Sequence, residues 1–109
     1  MKSHHEDGWK LYVGDILIGT ACYRESDQPW YICDFEPTPE FEKYRPIFDA
    51  YATLVNNPHE APTLIDPAEY YEINIESLNL RLVPFGDVWR GDIFVAQIYG
   101  GSEAWLRPL

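Results

Sequence analysis

Two carboxylates that follow an aromatic segment are the first side chains whose types and spacing could do chemistry. Asp34 and Glu36 occupy alternate positions of a β-type run, so both would project from one strand face, opposite the apolar one. Paired carboxylates at a strand end can hold a divalent cation or perform acid–base catalysis. The alternative is structural: Asp34 and Glu36 are solvated, while Glu40 and Glu42 stabilise the start of a helix.

His59 is the candidate imidazole base, because His4 and His5 lie at the N-terminus. With Trp30 and the carboxylate pair, it would form a small-ligand or metal-dependent hydrolytic site beside an aromatic sheet face. The alternative is an exposed loop histidine, since no nucleophile lies at motif spacing. Neither cysteine has a metal-ligand spacing, and we expect no resident cofactor or metal.

A second acidic pattern lies on a predicted helix. Glu69, Glu72 and Glu76 follow one another at spacings of 3 and 4, which places them on one helical face. Residues 60–76 contain five acids and no Lys or Arg, so nothing nearby offsets a like-charge cost of a few tenths of a kcal/mol per pair. The pattern indicates a docking surface for a basic protein partner, or else a plainly solvated face.

Composition restricts the classes of partner. The chain has 109 residues, 46% hydrophobic and 16% aromatic, and its 18 acids against 8 Lys and Arg give a net charge of −10. Such a charge disfavours nucleic acid and anionic membranes. The polar N-terminus and the short apolar runs predict a cytoplasmic protein without a membrane span. We expect a flexible tail over residues 1–8 and a single domain over residues 9–109.

The first third of the chain alternates between apolar and polar residues, which predicts a three-stranded meander. A turn at Gly14-Asp15 pairs Leu11 with Ile18 across the first hairpin. A second turn, centred between Asp27 and Gln28, places Cys22 opposite Cys33. Because cross-strand disulfides are strained and the cytosol is reducing, both thiols are expected to be free.

The middle of the chain has helical periodicity. Thr38 is the expected N-cap before Pro39, and the following stripe consists of Phe41, Tyr44, Phe48, Tyr51 and Val55. Pro46 interrupts this stripe, and we predict a kinked helix rather than a short turn followed by a new helix. Asp66 is the expected N-cap of a second helix, with Glu69 at N3 and an apolar face of Ala68, Tyr71, Ile75 and Leu78.

The last third returns to strand-like alternation around Leu80, Val95 and Trp105, with a turn at Gly100-Gly101. The order is therefore βββ-α-α-βββ, which predicts an α+β fold with an antiparallel sheet of about six strands and one or two helices on one face. The expected core consists of Leu11, Ile18, Phe35, Phe48, Tyr51, Leu80 and Val95.

Several short motifs resemble those of a group of short bacterial proteins of unassigned function. They are Trp9-x-Leu11 with Gly14 and Gly19, Pro29-Trp30, Phe35-x-Pro37, Phe41 with Pro46-x-Phe48, and Ala104-Trp105-x-Arg107. The resemblance spans most of residues 9–107. It implies the fold boundaries and contributes no activity.

Two functions follow from these patterns. The leading prediction is a non-enzymatic interaction module that docks a basic protein through Glu69, Glu72 and Glu76. Immunity and antitoxin-like proteins are also small, acidic and cytosolic, and the comparison with them is an analogy only. The alternative is the small-ligand or hydrolytic site on Asp34, Glu36, His59 and Trp30.

Overall fold

A computed structural model describes residues 7–28, 30–61, 65–86 and 93–108. The strands are β1 (Gly8–Val13), β2 (Ile16–Asp27), β3 (Trp30–Pro37), β4 (Leu80–Phe85), β5 (Ile93–Tyr99) and β6 (Glu103–Pro108). Between β3 and β4 lie helices α1 (Arg45–Asn56) and α2 (Pro67–Asn74), with short 3-10 helices at Pro39–Lys43, Pro58–Glu60 and Glu76–Leu78. The predicted α+β order βββ-α-α-βββ is confirmed.

All six strands join one antiparallel sheet in the order β4-β1-β2-β3-β6-β5. The first three strands form the predicted meander. The chain then crosses the helical segment, returns to the β1 edge as β4, and closes as a β5–β6 hairpin on the other side of β3. Strand β3 therefore has β2 on one side and β6, from the far end of the sequence, on the other.

The first hairpin differs from the prediction by one bulge. Tyr12 pairs with Leu17 as the Gly14-Asp15 turn requires, but Leu11 then pairs with Gly19, so Ile18 is the extra residue. The predicted pairing of Leu11 with Ile18 is wrong.

Thr38, which follows β3, donates hydrogen bonds to two carbonyl groups at this bulge. The Thr38 amide donates to the Ile18 carbonyl at 3.0 Å, and the Thr38 hydroxyl donates to the Leu17 carbonyl at 2.7 Å. Thr38 therefore does not cap a helix with its side chain, contrary to the prediction.

The second hairpin turns later than predicted. Asp27 lies opposite Trp30, and a bulge at Arg24 then leaves Tyr23 opposite Cys33 and Cys22 opposite Asp34. Since side chains alternate between faces, Cys22 and Cys33 lie on opposite faces of the sheet. The predicted cross-strand pairing of the cysteines is wrong, while both thiols are free and buried.

The predicted kinked helix is two elements. A 3-10 helix at Pro39–Lys43 ends at Tyr44, and α1 then begins with Arg45 and Pro46. Proline fits the start of a helix because the first amide groups have no intrahelical acceptor. Phe41 and Phe48 are still both fully buried, since three residues per turn in the 3-10 helix keep the stripe facing the sheet.

The ends of the helical stripes also differ from expectation. In α1, Leu54 is buried and Val55 is 38% exposed, so the stripe ends on a different residue from the predicted one. Helix α2 begins at the predicted N-cap, since Asp66 Oδ2 accepts from the amides of Ala68 and Glu69 at 3.0 and 3.4 Å. On its apolar face Ile75 is fully buried, but Ala68 is exposed.

One core joins the sheet to the helices. Five of the seven predicted core residues are buried: Leu11, Ile18, Phe35, Phe48 and Tyr51. Leu80 and Val95 are only partly buried and pack against this core. They belong to β4 and β5, the edge strands, where one flank of each side chain has no neighbouring strand.

The predicted tail lies mostly outside the described residues, as does Pro29 of the motif Pro29-Trp30. Gly8, which the prediction assigned to the tail, is buried and is the first residue of β1. None of the helices in the described ranges is long and apolar enough to cross a membrane.

We expect the two cysteines to resist labelling in the native protein. Burial raises the pKa of Cys33 to about 12, and burial together with Glu36 and Asp34 raises the pKa of Cys22. Both thiols are therefore protonated and poorly nucleophilic at neutral pH. An aromatic disulfide reagent should titrate two thiols in denaturant and react only slowly without it. Fast native labelling would contradict the buried placement.

Replacing Phe48 with Ala should destabilise the protein by about 3–5 kcal/mol, because a fully buried aromatic ring leaves a cavity. Val55→Ala is the matched control in the same helix and should change the free energy of unfolding by about 0.5 kcal/mol or less. Urea denaturation followed by circular dichroism measures both. Equal denaturation midpoints for Phe48→Ala and the parent would show that the helical stripe containing Phe48 does not form the core contact with the sheet.

Candidate functional site

The second face of the sheet brings together residues far apart in the chain. Asp34 of β3 lies directly opposite Glu103 of β6, and Ile32 lies opposite Trp105. On the other side of β6, Tyr99 of β5 is opposite Glu103. Because paired residues share a face, these side chains form adjacent rows on one surface.

Arg24 connects the two carboxylates of this surface. Its Nη1 donates to Asp34 Oδ1 at 2.6 Å and its Nη2 donates to Glu103 Oε2 at 2.7 Å, while its Nε lies 3.7 Å from Glu25 Oε1. The bulge that makes Arg24 the unpaired residue of β2 directs this side chain towards β3 and β6. One guanidinium is thus surrounded by three carboxylates, and this group carries a net negative charge.

An aromatic cluster borders the carboxylates. The Trp105 ring packs edge-on against Trp30 and Tyr99, with ring centroids 6.1 and 6.0 Å apart. The Trp105 indole Nε1 donates to Glu103 Oε1 at 2.8 Å, so the ring is fixed to the carboxylate beside it. The two oxygens of Glu103 therefore accept from two different side chains.

These contacts set the ionisation of the surface. The hydrogen bond from Arg24, with a second from Trp105, lowers the pKa of Glu103 below its usual value of 4.5. Burial raises the pKa of Tyr99 above its usual value of 10.0. At neutral pH the surface therefore presents an ionised carboxylate beside neutral aromatic rings.

A cleft of about 440 Å³ opens beside this surface. Its sheet wall consists of Tyr99, Glu103 and Trp105, and its helical wall consists of Thr53 and Asn56 at the end of α1 with Asn57 beyond it. This volume falls within the usual range for small-molecule sites.

Two contacts fix the helices against the β5–β6 hairpin. Arg45 Nη1, at the start of α1, donates to the Gly100 carbonyl at 3.0 Å, and the Ala96 amide donates to the Tyr71 hydroxyl at 3.0 Å. The latter contact satisfies an edge amide of β5 that has no strand partner. Both contacts hold the helical segment against the hairpin that forms the sheet wall of the cleft.

The predicted carboxylate pair lies on the second face, where its two members have different surroundings. Asp34 is bound to Arg24, and Glu36 is exposed further along β3. His59 is exposed in the 3-10 helix Pro58–Glu60, and Trp30 contributes to the aromatic cluster. In the ranges that the structure describes, no three His, Cys, Asp or Glu side chains are grouped to hold a metal ion.

The predicted acidic surface is fully accessible. Glu69 and Glu72 of α2 and Glu76 of the following 3-10 helix are all exposed. Because α2 ends at Asn74, the predicted single helical face holds for Glu69 and Glu72 but not for Glu76. Ile73 lies four residues after Glu69 in α2 and is 54% exposed. We call Glu69, Glu72, Ile73 and Glu76 the α2 surface. Ile73 was not among the residues predicted for this surface, although its position beside Glu72 places it there.

Sequence reasoning also missed Arg24, Tyr99 and Glu103. The strand pattern around Ala104 did indicate that Glu103 and Trp105 lie together on the face opposite Ala104. Nothing local in the sequence indicated that this strand pairs with β3, and the Arg24 bulge has no sequence signature in this chain.

Comparisons with known proteins leave the family of this chain undetermined: no family model matches it, and no curated protein or solved structure is significantly similar. The resemblance to a group of short bacterial proteins therefore stays a prediction.

Glu103 should make stability depend on pH. A carboxylate whose pKa is lowered on folding contributes stability that is complete above the usual value of 4.5 and is lost as the pH falls through the lower folded pKa. Glu103→Gln should therefore cost about 1 kcal/mol at pH 7 and much less at low pH, where the parent is also neutral. Urea denaturation of both proteins between pH 7 and pH 3 measures this difference. A difference that does not change with pH would contradict the ion pair with Arg24.

Proposed function

We propose that this chain is a cytoplasmic, non-enzymatic interaction module whose α2 surface docks a basic protein partner. The observation that carries the proposal is an exposed isoleucine among three exposed carboxylates on α2 and the 3-10 helix that follows it. An apolar anchor with a charged rim is the usual anatomy of a protein-binding surface.

The position of the carboxylates in α2 supports this role. Glu69 lies in the first turn, where the helix dipole stabilises an anion. Glu72 lies in the last turn, which has no basic residue, so the helix dipole opposes its charge. Glu69 has a structural explanation, whereas Glu72 costs stability in the free protein. Binding to a basic partner would offset that cost.

The ion pairs of the described residues also support a docking role for the α2 surface. In the described ranges, the paired cations Arg24, Lys43 and Arg45 bind carboxylates outside the α2 surface. No ion pair of this part of the chain neutralises Glu69, Glu72 or Glu76. The net charge of −10 would attract a basic partner and repel nucleic acid and anionic lipid.

The exposed Ile73 supports a protein partner rather than a small cation. More than half of its side chain is in water, and burying it at an interface would contribute about 1 kcal/mol or more. A partner with an apolar pocket flanked by Lys or Arg would match both features of the surface.

The test compares the parent chain with two variants of equal charge. The first replaces Glu69, Glu72 and Glu76 with Gln. The control replaces Asp15 and Asp27 with Asn and Glu60 with Gln, three exposed acids on other elements. A basic protein captured by the parent at low salt is purified, and its binding rates are measured with the parent, the first variant and the control. We expect the first variant to slow association, with a difference that shrinks as salt rises.

The variant Ile73→Ser tests the apolar contribution of the α2 surface separately from its charge. It should speed dissociation and weaken binding about tenfold, with little dependence on salt, because the lost contact is apolar. Both the triple variant and Ile73→Ser are expected to keep the parent's stability or to exceed it slightly, since neither removes a buried group. A partner that binds the triple Gln variant as well as the control would overturn the proposal.

A further inference from the structure

We propose that the cleft between the end of α1 and the β5–β6 hairpin binds a small organic cation of the alkylammonium class. This site is separate from the α2 surface and does not depend on it. Its walls come from α1, β5 and β6, and the residues that would contact the cation are Tyr99, Glu103 and Trp105 on one side and Asn56 and Asn57 on the other.

Charge selects a cation for this cleft. Glu103 is the acidic group of the lining, and the hydrogen bonds from Arg24 and Trp105 keep it ionised. Among the described residues, each of its oxygens accepts one hydrogen bond and retains capacity for another. Arg24 contacts three carboxylates, so its single positive charge does not balance theirs. An anionic ligand would be repelled by this group and by the whole chain.

The aromatic rings select an organic cation rather than a metal ion. Tyr99 and Trp105 line the cleft, and their ring faces attract ammonium groups while tolerating attached carbon atoms. No three metal-ligating side chains come together in the described ranges, so a bare metal ion would lack ligands there. The amide groups of Asn56 and Asn57 provide hydrogen-bond acceptors for a polar substituent on the same ligand.

The walls are held in place before any ligand binds. The Trp105 ring is fixed by its bond to Glu103 and by edge contacts with Trp30 and Tyr99. On the helical wall Asn56 Nδ2 donates to the Ala52 carbonyl at 2.9 Å, and Asn56 also forms a side-chain hydrogen bond with Tyr99. Preformed walls reduce the entropy cost of binding a small ligand.

Choline is the probe, and the uncharged alcohol 3,3-dimethylbutan-1-ol is its matched control, because the two differ by a nitrogen cation in place of a carbon. Both are titrated at constant ionic strength while NMR follows the Trp105 indole and the Asn56 and Asn57 side-chain amides. We expect saturable shifts of these signals with choline, and binding of the alcohol about tenfold weaker or more.

Variants test the residues directly. Glu103→Gln keeps an acceptor for the Trp105 indole but removes the charge, and it should weaken choline binding about fivefold or more. Asp15→Asn, an exposed acid in the turn between β1 and β2, is the control and should leave binding unchanged. If Glu103→Gln fails to fold, the comparison of choline with its uncharged counterpart on the parent decides. Equal binding of the two probes, no binding of choline, or shifts away from Trp105 would overturn the proposal.

Discussion

The contact on which the rest of the structure depends is the packing of Phe41 between the sheet and α1. Its ring lies 5.1 Å from that of Phe35 on β3 and 5.8 Å from that of Phe48 on α1, and Phe41 and Phe48 have no exposed surface. The Phe35 ring fills the space beside Gly19, where a Cβ atom would lie 2.2 Å from its Cζ. Only glycine at this position of β2 lets the aromatic row reach the helix.

This packing explains why the helical segment could be predicted in content but not in form. The spacing of Phe41, Phe48 and Tyr51 correctly indicated which residues face the sheet, because 3-10 and α-helical turns both preserve such a stripe. The same spacing could not distinguish one kinked helix from two elements. Pro46 favours two elements, because a proline at the start of α1 causes no loss of a backbone hydrogen bond.

The local sequence pattern predicted the strands of the sheet but not the register in which they pair. Alternation located all six strands, but each bulge in β2 shifts the register by one residue and changes which side chains share a face. The consequence was largest at Cys22 and Cys33, which lie on opposite faces. The site was still less predictable, because Asp34 meets Glu103 only through the pairing of β3 with β6, and that pairing joins segments about seventy residues apart.

The distribution of charge separates the two surfaces that carry the proposals. On the sheet, each acid that borders the cleft is compensated in part, since Arg24 binds Asp34 and Glu103 within one hydrogen-bonded group. Such compensation lets carboxylates lie close together on a partly buried surface, where they would otherwise repel one another. On α2 no cation plays that part in the described structure, and the carboxylates are exposed instead. Compensated charge beside fixed rings suits a small ligand, whereas uncompensated charge around an exposed isoleucine suits a second macromolecule.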